Sequence, residues 1–278
     1  MTILDGKKIK SELLDELKDE VSKLTEKPNL VVIQVGDNPA SNVYIKQKAK
    51  MAEYVGYGYT HLKLAEDVTE SELLNEIDRL NKDDKVHGIL VQMPVPDHLD
   101  AGKIQNAVLP EKDVDGLSDI NAGRLSHDKD ALFSCTPYGV MELLKRYRIE
   151  VTGKCAVVIG RSNLVGKPMS MMLTNAGATV ILCHSKTKDL AKYTKMADIL
   201  VVGIGKPKFI TSDMVSDKTV VIDVGINRTD DGLVGDVDFD NVCDKCEYIT
   251  PVPGGVGPMT VAMLGANLLK AYKMQKES

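Results

Sequence analysis

Cys155-Ala156-Val157-Val158-Ile159-Gly160-Arg161-Ser162-Asn163-Leu164-Val165-Gly166-Lys167-Pro168 is the stretch that decides the architecture. Five small or β-branched residues read as a buried strand, glycine makes the turn, and a helix follows through Leu173. A glycine between strand and helix permits a tight turn and lets backbone N–H groups approach a pyrophosphate. The spacing departs from G-x-G-x-x-G, because Ser162 takes the middle glycine's place and Gly166 arrives one residue late. Further strands are read at Thr179–Cys183, 198–203 and 219–224. The second half of the chain is therefore expected to be a Rossmann-like, NAD(P)-binding α/β domain.

Which dinucleotide it takes follows from the second strand. An acidic residue about 20 positions beyond the first turn would hold the adenosine ribose hydroxyls. His184-Ser185-Lys186-Thr187 stands there instead. With Arg161 in the first turn, cationic and hydroxyl donors gather where NADP carries its 2′-phosphate, although a solvated basic loop has the same composition. NADP is favoured over NAD.

Upstream, a second α/β series is legible. Asn29–Val35 and 87–93 are buried strands, Thr60 to Leu64 alternates as a strand, and helices are read at 7–24 and from Thr69 to Leu80. Strand–helix–strand alternation implies right-handed crossovers and a parallel sheet, with ligands beyond the carboxyl ends of its strands. At one such end, Gly36-Asp37-Asn38-Pro39-Ala40 leads into a helix with Ser41 as the expected N-cap. Tyr44 and Lys48 lie four residues apart on that helix, on one face. In a partly dry site the pair could transfer protons, since burial lowers a lysine's pKa; a surface tyrosine packed on a lysine stem has the same spacing. Gln92 lies at another strand end, and Asp115 sits in the acidic loop 112–117, where it could also be a plain turn former.

The 278 residues suffice for two domains, and 43% apolar with 27% charged residues is a globular composition. A net charge of -5 and a pI near 5.6 argue against nucleic acid or an anionic membrane as the main partner. No leader of basic then apolar residues and no long apolar run is read, so a cytoplasmic location is expected. Five scattered cysteines are expected to be reduced thiols. Cys243-Asp244-Lys245-Cys246 has half of a zinc or redox spacing with nothing to complete it, so no metal is expected. Toward the end, the Gly- and Pro-rich run at 250–260 is a shaped loop, and the last helix is expected to pack back on the first domain.

Seven stretches together resemble the bifunctional methylenetetrahydrofolate dehydrogenase/cyclohydrolase family: VGDNPASNVYIKQK, GILVQMPVP, KDVDG, CTPYGV, VVIGRSNLVGKPM, CHSKT and TPVPGGVGPMTVAML. They follow the family's order from about residue 31 to 268. The resemblance implies two α/β domains with a cleft between them: 1–135 with 258–278 binding folate, and 136–257 binding NADP. It implies oxidation of 5,10-methylenetetrahydrofolate to the methenyl form, then hydrolysis to 10-formyltetrahydrofolate. Tyr44 would pack against the folate, Lys48 would serve cyclohydrolysis, Gln92 would hydrogen-bond the lysine, and Asp115 would grip the pterin's amino end. Gly160, Arg161, Ser162, Val165, Gly166 and Ile226 would line the cofactor, Ser185 would meet the 2′-phosphate, and Pro253, Gly254 and Gly255 would line the loop beside folate and nicotinamide. A homodimer is implied as well. After Asp115, Gly116-Leu117-Ser118-Asp119 departs from members that carry an aromatic and a histidine, which touches the fine folate contacts.

Two rivals share parts of this pattern. Short-chain dehydrogenases have a Tyr-x-x-x-Lys after the dinucleotide turn, whereas here it comes before. Shikimate-dehydrogenase-like enzymes have two domains and an early lysine, but do not account for Gln92 or the 251–258 loop.

Overall fold

The computed structural model describes residues 1–230 and 232–277. The first half contains β1 (Thr2–Ile3), α1 (Gly6–Ser22), β2 (Asn29–Val35), α2 (Pro39–Val55) and β3 (Gly58–Leu64). It continues with α3 (Glu70–Asn81), β4 (Gly88–Val91), α4 (Ala101–Ala107) and α5 (Asp119–Ser126). Then come α6 (Cys135–Arg146), β5 (Cys155–Ile159), α7 (Gly166–Asn175), β6 (Thr179–Cys183), α8 (Leu190–Thr194), β7 (Ile199–Val202) and β8 (Val220–Asp223). The chain finishes with β9 (Asn227–Thr229), β10 (Gly232–Val234), α9 (Phe239–Val242), β11 (Tyr248–Ile249) and α10 (Val256–Glu277).

The chain divides into two compact units. One comprises Glu12–Phe133 and the C-terminal stretch from Val261; the other comprises Met1–Ser11 and Ser134–Thr260. The expected division placed residues 1–135 together. Instead, β1 pairs parallel with β11, Thr2 opposite Tyr248, so the N-terminus belongs with the later unit. The unit boundaries fall inside α1, ahead of α6 and inside α10, three crossings where two were expected.

In the Glu12–Phe133 unit, three parallel strands run in the order β3-β2-β4. Leu30, Val32 and Ile33 on the central strand are completely buried, as a strand covered on both faces requires. Helix α3 starts with a capping box: Thr69 accepts from the Glu72 N–H while Glu72 accepts from Thr69 N. The last helix packs on this unit. Asn267, fully buried, donates to Val114 O (2.9 Å) and Phe133 O (2.8 Å), and the Tyr57 hydroxyl donates to Gly265 O (2.9 Å).

The other unit has six parallel strands in the order β1-β11-β8-β7-β5-β6. From β5 the chain goes to β6 on one side, then crosses back to β7 on the other. The direction of winding thus reverses at the carboxyl end of β5, where such sheets open a crevice for ligands. Its core is built by Val157, Ile159, Leu200, Val202, Val221 and Ile249. No helix among the described residues is long and apolar enough to cross a membrane.

Candidate active site

Helix α2 opens three residues earlier than a Ser41 cap would have it, at Pro39 rather than Asn42. Asn38 precedes the helix and its Oδ1 accepts from Ser41 N (3.3 Å), while Pro39, needing no donor partner, takes the first helical position. Ser41 is a buried first-turn residue whose hydroxyl reaches Met93 O at 3.5 Å. Asn42 Oδ1 accepts from Gln34 Nε2 (2.9 Å), which ties the start of α2 to the end of β2.

This anchored helix presents Tyr44, 46% exposed, and one turn later Lys48, half-buried. Lys48 Nζ donates to Gln92 Oε1 at 2.8 Å. Gln92 follows β4; its backbone N–H stays in the ladder on Ile33 O (2.8 Å), and its side-chain Nε2 donates to Met93 O (2.7 Å). That second bond settles the amide's orientation: its NH₂ is spent on a carbonyl, leaving oxygen to face the amine. The contact joins an amine to a neutral acceptor without adding charge.

Asp115 stands, half-buried, on the loop after Lys112. Ile89 N donates to Lys112 O (2.8 Å), which moors that loop to β4. Its shape comes from Asp113, a buried residue not singled out in the sequence. Asp113 Oδ1 accepts from Gly116 N (3.0 Å) and Leu117 N (3.3 Å), and Oδ2 accepts from Ser118 N (2.9 Å) and Asn121 Nδ2 (3.0 Å). Gly116 has φ +67°, a left-handed conformation suited to glycine. An aspartate three residues before a glycine is the signal that could have revealed this turn. The departure at Leu117-Ser118-Asp119 also gains a local role, since Ser118 caps α5 by accepting from Asn121 N.

In the other unit, Gly160 N donates to Cys183 O (2.9 Å), and Gly160 has φ +113°. A Cβ on Gly160 would lie 2.3 Å from Gly203 O, and one on Gly166 would lie 1.8 Å from Gly160 O. Only glycine fits either position. Ser162 Oγ accepts from Val165 N (3.1 Å), closing the turn, while Arg161 and Ser162 remain exposed and Val165 half-buried. This cradle of close-approaching backbone ahead of the ten-residue helix α7 suits a pyrophosphate. Arg161 and Ser185 each lie two residues beyond the paired Ile159 and Cys183, so they leave adjacent strand ends together. The 184–187 turn is closed by His184 N on Thr187 Oγ1 (2.9 Å) and Lys186 N on His184 Nδ1 (3.1 Å), with Ser185 exposed at its tip. The arrangement fits a 2′-phosphorylated dinucleotide.

Pro253, Gly254 and Gly255 belong to this same unit. Gly255 N donates to Pro251 O (2.8 Å), Lys7 N donates to Gly254 O (3.1 Å), and Gly254 has φ +116°. Ile226, 49% exposed, stands with its Cδ1 3.3 Å from where a Cβ on Gly257 would be. The four residues Tyr44, Lys48, Gln92 and Asp115 therefore share one unit, and the dinucleotide turn and proline–glycine loop share the other. Among the described residues no cluster of His, Cys, Asp or Glu could hold a metal. Cys243 and Cys246 are free, and burial pushes the Cys246 thiol up to about 12, away from the thiolate a redox pair needs.

A parallel sheet with its switch point at a glycine turn, joined to an α/β unit bearing a lysine–glutamine pair, defines a two-domain NAD(P)-dependent dehydrogenase. Comparison with known proteins narrows the class. Residues 4–115 match the catalytic domain of tetrahydrofolate dehydrogenase/cyclohydrolase, and residues 134–276 match the NAD(P)-binding domain of the same enzymes. The bifunctional protein FolD of Nautilia profundicola is 54% identical over 278 residues, covering 98% of each chain. The crystal structure of the FolD dehydrogenase/cyclohydrolase from Campylobacter jejuni is 51% identical, with TM-score 0.97 over 99% of both chains. That of Trypanosoma brucei, complexed with NADP cofactor and inhibitor, is 35% identical with TM-score 0.93, covering 100% of this chain and 99% of its own. The chain belongs to the tetrahydrofolate dehydrogenase/cyclohydrolase family.

Proposed function

We propose that the chain oxidises 5,10-methylenetetrahydrofolate with NADP and hydrolyses the 5,10-methenyl product to 10-formyltetrahydrofolate, with Lys48 managing the proton of the second step. NADP, when bound, supplies the hydride acceptor; Gly160, Ser162, Val165, Gly166 and Ile226 would hold it, and Arg161 with Ser185 would take its 2′-phosphate. The carbon that loses hydride lies between two nitrogens whose lone pairs stabilise the cation left behind, so this step needs positioning more than acid or base. Tyr44, Asp115 and the Pro253–Gly255 loop supply that positioning in this reading, Tyr44 by packing on the folate and Asp115 by accepting from the pterin's amino end.

Hydrolysis differs. Water adds to the methenyl carbon and loses a proton. The hydroxyl then loses its second proton as the formyl C=O forms, while the bond from that carbon to N5 opens and N5 takes up one proton, so one proton is released overall. The neutral amine of Lys48 takes the proton from water, and Gln92 aims that amine. The observation carrying this reading is the 2.8 Å contact from Lys48 Nζ to a Gln92 oxygen whose orientation Met93 O dictates. Replacing Lys48 with methionine keeps the stem and removes the base. Lys48→Met should lose cyclohydrolase activity, followed as decay of methenyl absorbance; hydrolysis at the wild-type rate would remove Lys48 from the mechanism.

A cytoplasmic homodimer completes the proposal. Strand β6 is an edge of the six-stranded sheet and carries Leu182, 37% exposed, which suits self-association along that edge. Light scattering on the purified chain that gave a monomer mass would exclude it.

A further inference from the structure

Two buried carboxylates beside the dinucleotide turn take no part in the chemistry above. Asp236 has no exposed surface and Asp223 is 3% exposed. Asp236 Oδ2 accepts from the backbone N–H groups of Ile204 (2.6 Å) and Gly205 (2.9 Å). Its Oδ1 accepts from Lys206 N (2.7 Å) and Asn227 Nδ2 (2.9 Å). Beneath it, Asp223 Oδ1 accepts from Gly225 N (2.9 Å) and Asp236 N (3.0 Å), and Oδ2 from Val237 N (2.8 Å). Each of these donors is uncharged. The fit is close: a Cβ on Gly225 would lie 2.3 Å from Asp236 Cγ, and one on Gly235 would lie 1.9 Å from Asp223 Oδ2.

The origin of the donors indicates the purpose. Ile204, Gly205 and Lys206 form the loop leaving the carboxyl end of β7; Gly225 and Ile226 lie on the loop leaving β8, and Asn227 opens β9 directly after it. Strand β7 neighbours β5 across the switch point, and Gly203 O abuts Gly160 of the dinucleotide turn. Arg161 and Ser185, at the ends of β5 and β6, claim the phosphorylated adenosine end of the cofactor. The loops after β7 and β8 are left to receive its nicotinamide end. Three consecutive backbone N–H groups converging on one anion make a rigid nest, here used from inside to fix a loop.

We propose that Asp236, supported by Asp223, is a positioning residue for the dinucleotide, clasping the loops after β7 and β8 into the shape that receives the nicotinamide half. This rests on reading the chain as an NADP enzyme. Its signature is selective, because hydrolysis of 5,10-methenyltetrahydrofolate consumes no dinucleotide.

The test compares Asp236→Asn, Asp236→Ala and Asn227→Ala with wild type. NADPH binding is read by fluorescence titration, and cyclohydrolase activity is read from methenyltetrahydrofolate with no dinucleotide present. Hydrogen bonds to a charged group carry enough energy that Asp236→Ala should weaken NADPH binding on the order of tenfold or more. Asp236→Asn keeps an acceptor for Ile204 and Gly205 but turns its NH₂ toward Lys206 N–H, so its loss is smaller, and Asn227→Ala should cost a few-fold. The KM for NADP should rise in the same order, while the KM for methenyltetrahydrofolate shifts by no more than about twofold. Wild-type NADPH affinity in folded Asp236→Asn would overturn the proposal. So would a parallel fall of binding, cyclohydrolase activity and melting temperature, which marks a purely structural pair. Should Asp236→Ala not fold, the other two variants decide by the same criteria. Wild-type protein that binds NADPH but turns over neither folate would refute the proposed function, and the titrations would still judge the clasp.

Discussion

Replacing Gln92 with glutamate alters one atom's chemistry at the contact on which the cyclohydrolase reading depends. Gln92 is 9% exposed and its oxygen lies 2.8 Å from Lys48 Nζ. A carboxylate there favours the ammonium form. Unit charges about 4 Å apart at an effective dielectric near 20 interact by about 4 kcal/mol, equivalent to roughly three pK units. Two features reduce it: Lys48 is half-buried rather than dry, and the second carboxylate oxygen would face Met93 O, now 2.7 Å from the amide nitrogen. A shift of about one to two units remains, so the neutral amine becomes about tenfold to a hundredfold scarcer at neutral pH. The assay is decay of methenyltetrahydrofolate between pH 6 and 10. Cyclohydrolase kcat at pH 7 should fall by that factor, and the rising limb of the pH profile should move upward by about one to two units. Dehydrogenase activity should fall less, because hydride departure needs no base. Gln92→Leu, which loosens the amine without adding charge, should leave the limb where it was. If the Gln92→Glu profile superimposes on wild type, Lys48 does not act as a neutral base.

Gly166→Ala would put a methyl 1.8 Å from Gly160 O, where only backbone can yield; NADPH affinity should fall roughly tenfold to a hundredfold, and wild-type titration curves would contradict the cradle. Burial pushes the Asp223 carboxyl up to about 6 against three opposing backbone N–H groups. The folded chain thus holds a proton that the unfolded chain releases near pH 3.9, and stability is lost as pH rises from about 4 to 6. Asp223→Asn should abolish about 2–3 kcal/mol of that decline, read as melting temperature from pH 4.5 to 7.5; parallel curves for the two proteins would count against it. Thr69→Ala removes the acceptor for Glu72 N and should cost about 1 kcal/mol, a drop in melting temperature of about 2–4 °C, and an unchanged melt would mean the box contributes nothing.

What the chain declares in advance and what it withholds divide along a physical line. Asn29–Val35 and Cys155–Ile159 emerge with the bounds expected of them, since central parallel strands carry their burial in their own composition, and the edge strand Thr179–Cys183 does so through its β-branched run. The lysine–glutamine contact was available as a resemblance, but the amide orientation that makes it directional comes from a neighbouring carbonyl. Helix starts were less legible: Asn38 and Ser41 are both good caps, and only the placement of Pro39 separates them. Two-residue β1 has no pattern to read, and β11 alone gives it a sheet. The deepest omissions are Asp113, Asp223 and Asp236, acids whose partners are mostly backbone N–H groups. A backbone N–H carries no side-chain identity, so nothing in the residues at 204–206 announces that a carboxylate 30 positions away will hold them. Loops that position a ligand are for that reason the part of a site least visible in a sequence, while the groups that touch the ligand are the most visible. Buried acids in glycine-flanked segments, such as Gly225 and Gly235 around this pair, are the trace such clasps do leave, because only glycine lets backbone close on a carboxylate from both sides.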